Sequence, residues 1–109
     1  MVAACDVLAE RERQKTAEGW TAEHDDQHDA GQLAAAASCY AQFAVLSEAA
    51  RWRKGILWVP DWWPWSRKWW KPTNSRRDLV KAGALILAEI ERLDRRALAP
   101  SKTEGQSRG

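Results

Sequence analysis

From Glu23 to Asp29 the chain reads Glu-His-Asp-Asp-Gln-His-Asp, and six of these seven side chains can ligate a metal or move a proton. Imidazole and carboxylate together suit zinc, manganese or iron, and carboxylates alone suit magnesium. His24 and His28 stand four apart, so a helix would turn both to one side. The His-Glu-x-x-His zinc signature is absent, because Asp25 follows His24. The segment therefore reads as a self-capping acidic turn in which a His pairs with a neighbouring carboxylate and no metal is bound. His24, Asp25, Asp26 and His28 remain as groups that could order a ligand.

The second chemical segment is 52–74, which holds seven of the eight Trp, three Pro and a Gly among basic residues. An indole buries a large area at low entropic cost and offers one N–H donor. Nucleic-acid bases stack on such rings for about 1–3 kcal/mol each. Lys68, Lys71, Arg76 and Arg77 lie beside the rings and suit phosphates, and a helix start at Ser75 would add backbone N–H groups. Most of the seven Trp should fill the loop's own core over the Ala-rich helix before it. The rings expected at a binding surface are drawn from Trp62, Trp63, Trp69 and Trp70, joined by Trp20 from the acidic side.

Helices must position both segments, since no strand pattern of useful length occurs. Residues 6–18 form a first helix, with Val7, Leu8 and Arg11 on one face and Gly19 as a left-handed cap. Trp20 follows and can fold back onto it. Residues 21–29 are a connector with one helical turn capped by Thr21. Asp29 and Gln32 have the spacing of a capping box for a second helix over 30–51. Its stripe of Leu33, Ala36, Tyr40, Phe43 and Ala44 marks it as the central element. Pro and Gly forbid a continuous helix through 52–74, where Asp61 and Ser66 could each cap a short turn. A third helix over 75–97 opens on a Ser75–Asp78 capping box. Its core seam is expected at Leu79, Ala82, Ile86, Ile90, Leu93 and Ala97, widened by Val80, Leu85 and Leu87. The fold class is all-α: a small three-helix domain over 1–98 with a long Trp/Pro-rich loop between helices two and three, then a disordered tail over 99–109.

With 109 residues and a net charge of +2, the chain is one domain and neither a polybasic wrapper nor an acidic tail protein. The charges are nevertheless segregated. Residues 1–30 carry eight acids against three bases, and residues 51–77 carry eight bases against one acid. Either the two segments neutralise each other across the fold or the basic one receives an anion; both can hold. No apolar run approaches the roughly 20 residues of a membrane span, no signal peptide is visible, and Cys5 and Cys39 form no CxxC. A cytoplasmic chain with free thiols is expected.

Leu8-Ala-Glu-Arg-Glu-Arg-Gln14, Glu18-Gly-Trp-Thr-Ala-Glu-His-Asp-Asp26, Trp69-Trp-Lys-Pro72 and the run from Arg76 to Asp94 resemble a small family widespread in tailed phages and prophages. That resemblance spans about residues 7–95 and implies a phage-encoded accessory protein in the host cytoplasm. Gly19-Trp20, Asp25-Asp26 and the helix from Arg76 also resemble, more distantly, the order of features in the ryanodine-receptor repeat domain. Bacterial and phage versions of that domain are associated with nucleotide-signal defence, which implies a nucleotide-like ligand.

No catalytic constellation is complete. The expected function is a non-catalytic binding protein, without cofactor, that sequesters a nucleotide-derived ligand such as a host immune second messenger. It would use Trp20, His24, Asp25, Asp26, His28, Trp62, Trp63, Trp69, Trp70, Lys71, Arg76 and Arg77, as a homo-oligomer. Two alternatives stay open. Exposed Trp and Arg suit an inhibitor that docks on a host defence protein. Glu23, Asp25, Asp26, Glu91 and Asp94 suit a metal-dependent nucleotide pyrophosphohydrolase, to which the Glu91–Asp94 spacing has some likeness. Sequence-specific DNA binding is disfavoured because the bases lie in an irregular loop.

Overall fold

The computed structural model describes residues 2–55 and 58–98, and the tail expected over 99–109 lies outside them. The fold is all-α. Three longer helices, α1 (Val2–Ala17), α3 (Gln32–Ala44) and α5 (Ser75–Leu98), are joined by two short ones, α2 (Ala22–Asp26) and α4 (Glu48–Lys54), and by one 3-10 turn, Arg67–Trp69.

Local chemistry explains where each helix stops. Gly19 takes φ 77°, a left-handed geometry that L side chains adopt only at a cost. The Trp20 N–H then donates to the Gln14 carbonyl at 2.9 Å and the chain turns back. Thr21 caps α2 as its position predicts, its hydroxyl accepting from the His24 N–H. The Asp29–Gln32 box does not form. Gly31 is the N-cap of α3, and Gln32 instead accepts from the Ala30 N–H at 2.8 Å.

The single helix expected over 30–51 is two. α3 ends at Ala44, and Ser47 starts α4 by accepting from the Ala50 N–H. The two axes differ by 119°. A straight helix would hold Arg51 well beyond Phe43. The break lets Arg51 donate to the Phe43 carbonyl at 3.0 Å and to buried Asp78 on α5. Asp78 also accepts from the Thr73 N–H at 2.9 Å, while Asn74 accepts from the Arg77 N–H at 2.8 Å. The start of α5 is thus capped one residue earlier than the Ser75–Asp78 box, and by Asn74.

The core lies between α3 and α5. Leu33, Ala36, Ala37, Cys39, Tyr40 and Phe43 meet Ala82, Leu85 and Ala88, with Trp63 and Trp70 from the loop closing the cluster. Alanine on both sides lets the helices approach closely. The expected seam of α5 is rotated: Leu79, Ile86, Ile90 and Leu93 are exposed, and the buried face is Val80, Ala82, Ala84, Leu85 and Ala88. Val80 and Leu85 pack among small side chains, and the other large aliphatic residues of that seam face outward.

α1 buries a polar face. Glu10, Arg11 and Gln14 are its buried residues, whereas Leu8 is exposed. Arg11 donates to Asp25 at 2.7 Å, to Glu91 at 3.1 Å and to the Trp20 carbonyl at 3.5 Å, joining α1 to α2, α5 and the turn between them. Glu10 pairs with Arg13 and Arg77, and Asp6 with Arg76. The acidic start of the chain does neutralise part of the basic segment. Burial works against the Glu10 carboxylate, but Arg13 and Arg77 outweigh it and hold its pKa below the ordinary value.

Removing one partner of a buried ion pair strands the other. Asp25→Ala should cost about 3–5 kcal/mol in urea unfolding, because Arg11 is only 3% exposed. Asp6→Ala, which breaks the exposed pair with Arg76, should cost under about 1 kcal/mol. Equal effects would refute a structural role for the buried pair.

Candidate functional site

The end of α1, the following turn and α2 form one wall of an open cleft, and the Trp loop forms the other. Glu18, Trp20, His24 and His28 together with Trp65, Ser66 and Trp69 line a cavity of about 460 Å³, a size suited to a small-molecule ligand. Its rings touch in a closed circuit. Trp20 and His24 are parallel within 1° at 5.9 Å, and His24 meets His28 edge-on at 4.9 Å. His28 meets Trp65 at 5.1 Å, and Trp65 returns to Trp20 at 6.0 Å.

Helical geometry sets the first wall. The four-residue spacing of His24 and His28 puts both imidazoles on one side of α2 and its C-cap turn, as the sequence predicts. Asp25, on the opposite side, is fully buried against Arg11 and holds the His24 Nδ1 at 3.2 Å. The second wall is fixed by the buried indoles. Trp63 packs edge-on against Tyr40 and Trp65, and its N–H donates to the Ser66 carbonyl at 3.1 Å. Trp70 lies against Tyr40 at 4.7 Å and Phe43 at 5.5 Å. Burial pushes the Tyr40 hydroxyl up to about 12. It therefore stays protonated, donating to the Trp69 carbonyl and accepting the Lys71 N–H at 3.1 Å.

A small chamber of about 40 Å³ adjoins the cleft, sharing Glu18, Trp20 and Trp69 and reaching Gln14, Lys71 and Lys81. Among the described residues two buried side-chain polar atoms have no partner, the Trp65 Nε1 and the Gln14 Oε1. Trp65 is a lining residue of the cleft and Gln14 of the chamber, while the two atoms themselves are buried. Buried polar groups are nearly always bonded, so a small movement of either side chain would bring a free donor or acceptor to a cavity wall. Glu18 adds a carboxylate held by Arg13 at 3.2 Å. Lys68 and Lys71 place their ammonium groups over Trp69 at 5.5 and 5.4 Å.

Of the residues expected at the site, Trp20, His24, His28 and Trp69 converge on the cleft, with Lys71 at the inner chamber. The others do not. Trp63 and Trp70 belong to the core, a correction to their expected place at the surface. Trp62 is exposed elsewhere, its N–H donating to Ser38. Asp25 is taken by Arg11 and Asp26 by Arg95. Arg76 and Arg77 are paired with Asp6 and Glu10 rather than lining the cleft. Sequence reasoning missed Gln14, Glu18, Trp65 and Ser66. The Glu10–Gln14–Glu18 spacing of four was a usable signal for a polar stripe on α1, but nothing local showed which end of it would face the loop.

Among the described residues no three His, Cys, Asp or Glu side chains converge as a metal site. No single helix among them is long and apolar enough to cross a membrane. The acids weighed for hydrolysis are scattered: Asp25 and Glu91 bind Arg11, Asp26 binds Arg95, and Glu23 and Asp94 lie exposed. Comparison with family models, with curated proteins and with solved structures finds no match.

Burial, followed by the nearby His24, pushes the His28 pKa below its ordinary 6.5, against a smaller pull from Asp25. The unfolded chain therefore takes up this proton first as pH falls. The His28 contribution to stability is complete above 6.5 and is lost as pH drops through the folded value. An NMR titration should place the His28 midpoint below 6.5, and His28→Gln should flatten stability against pH over that interval. A midpoint at or above 6.5 would contradict the buried setting.

Proposed function

We propose that this protein is a non-catalytic binding protein that captures a small nucleotide-derived ligand in the cleft between α2 and the Trp loop. The observation that carries this reading is the run of touching rings Trp20, His24, His28 and Trp65, which together with Trp69 line one cavity, with a buried unpartnered indole N–H on Trp65 beside it. Ring walls favour a flat heterocycle through stacking and exclusion of water. The Trp65 N–H supplies a donor for a ring nitrogen or carbonyl of the ligand. Glu18 supplies an acceptor for an exocyclic amine. Lys68 and Lys71, beside the outer ring Trp69, stand where a phosphate would leave the cleft.

A binding role also accounts for the acids. Of those considered for metal-assisted hydrolysis, Asp25, Asp26 and Glu91 hold helices together through arginine and Glu23 and Asp94 lie exposed, which leaves the cleft suited to recognition. Taken with the resemblance to phage and prophage proteins, the ligands of first interest are host nucleotide signals, and the biological role would be their sequestration during counter-defence.

Calorimetry against mononucleotides, cyclic dinucleotides and ADP-ribose derivatives tests the proposal. At least one should bind in the micromolar range and be recovered unchanged. Trp69→Ala should weaken it by about tenfold or more, the value of one stacked ring, and Trp62→Ala should leave it unaltered. Trp65→Phe keeps a ring but removes the N–H. It should weaken binding while leaving the free protein as stable or more so, because a buried donor without a partner is lost. Absence of binding across the panel, or binding indifferent to Trp69→Ala, would overturn the reading.

A further inference from the structure

Among the described residues Glu18 is the only carboxylate that lines the aromatic cleft, and it lines the adjoining chamber as well. Its side chain is 21% exposed. One oxygen accepts from the Arg13 guanidinium at 3.2 Å, and the other has no hydrogen bond among the described residues. Arg13 does not depend on this contact, because both oxygens of Glu10 already accept from it, at 2.8 and 2.9 Å. A part-exposed ion pair of this kind contributes little to stability. The fold therefore gives Glu18 only a weak structural reason to stand at the cleft.

His24 adds a second acceptor. Its Nδ1 lies 3.2 Å from the Asp25 Oδ1, and a carboxylate oxygen can only accept. The Nδ1 thus carries the proton of the neutral ring, and Nε2 is left as an acceptor. The cations nearby, Lys68 and Lys71, lie over Trp69 and suit a phosphate. Stacking on indole tolerates every base, so any choice among bases falls to the polar groups that meet the base edge.

We propose that the cleft selects guanine and that Glu18 is the residue that reads the base; this rests on the nucleotide-binding role proposed above. The Watson–Crick edge of guanine sets the N1–H beside the N2 amine, so one carboxylate can accept from both. Each carboxylate oxygen has two lone pairs, and the one held by Arg13 can still take a second donor. Adenine and cytosine offer one amine next to an unprotonated ring nitrogen, whose lone pair would meet the second carboxylate oxygen. Uracil offers one N–H flanked by two carbonyls. A site built around such an acceptor pair rejects ligands that lack the matching donors, because its polar groups are then left unpaired.

Calorimetry on the full chain tests the choice with guanosine, adenosine, cytidine, uridine and inosine monophosphates, and with cyclic diguanylate against cyclic diadenylate. The guanine member of each set should bind about tenfold or more tightly than the others, the value of a hydrogen bond to a charged group. Inosine monophosphate, which lacks the N2 amine, should fall between the guanine and adenine nucleotides. In Glu18→Gln the carboxamide can donate to N1 of adenine and accept from its N6 amine. The guanine preference should vanish and adenosine monophosphate should gain affinity, whereas a merely structural role for Glu18 would weaken all ligands alike. Glu18→Ala should lose guanine affinity without that gain, and thermal unfolding of both variants checks the fold. Equal binding of the bases, a preference for another base, or a guanine preference that survives Glu18→Gln would overturn the proposal and leave the nucleotide cleft standing. Absence of binding by every nucleotide would overturn the cleft reading and this one with it.

Discussion

One guanidinium decides how this fold closes. Arg11 is almost wholly buried and reaches Asp25 of α2, Glu91 of α5 and the carbonyl of Trp20. A charge in that position is tolerable only if its partners are held in place. The partners are thereby held as well: α2 has five residues and could not stay helical alone. Fixing Asp25 fixes the backbone from which His24 and His28 project, and Asp25 also touches the His24 ring. The aromatic wall of the cleft is therefore an indirect product of an ion pair on its far side. Stability and site geometry share the same residues, so the site cannot loosen without exposing a buried charge.

The Trp loop divides its indoles between two tasks. Trp63 and Trp70 sit on Tyr40 and Phe43 and serve as core. They do for the irregular segment what a helix seam does for a regular one, anchoring it through area rather than backbone bonds. The Tyr40 hydroxyl ties the backbone around Trp69 to α3, and Asp78 ties Thr73 to α5. With those anchors in place Trp65 and Trp69 can remain partly uncovered at the cleft. Such rings are held rigid by neighbours and lose little freedom when a flat molecule enters.

The pairing of α3 with α5 rests on small residues, and this has a consequence for the rest of α5. Ala82 and Ala88 lie in the cluster between the two helices and let them approach closely. Leu85 is the one large aliphatic residue of α5 in that core cluster, and Leu79, Ile86, Ile90 and Leu93 occupy the opposite face. The same economy of volume inside the domain thus generates the stripe outside it. Cleft and stripe lie on different elements, the cleft on α2 and the loop, the stripe on α5 alone, so each can be perturbed without the other.

The all-α class, the Gly19 and Thr21 signals and the joint placement of His24 and His28 follow from the sequence, because capping and helical spacing act within a few residues. The break at Ser47 was also written locally, as a serine that can cap a helix, but Ala-rich propensity on either side masked it. What only the tertiary structure decided concerns which surface each residue meets. Periodicity marked Leu79, Ile86, Ile90 and Leu93 as one stripe, yet α5 has a second stripe of small residues, and only packing against α3 selects between them. The acidic segment likewise announced its carboxylates, while the arginine partners that make Asp25 and Asp26 structural come from helices far away in the chain. Local chemistry fixes the helices and their ends; long-range packing volume and charge pairing fix which faces are buried and which remain open to a partner.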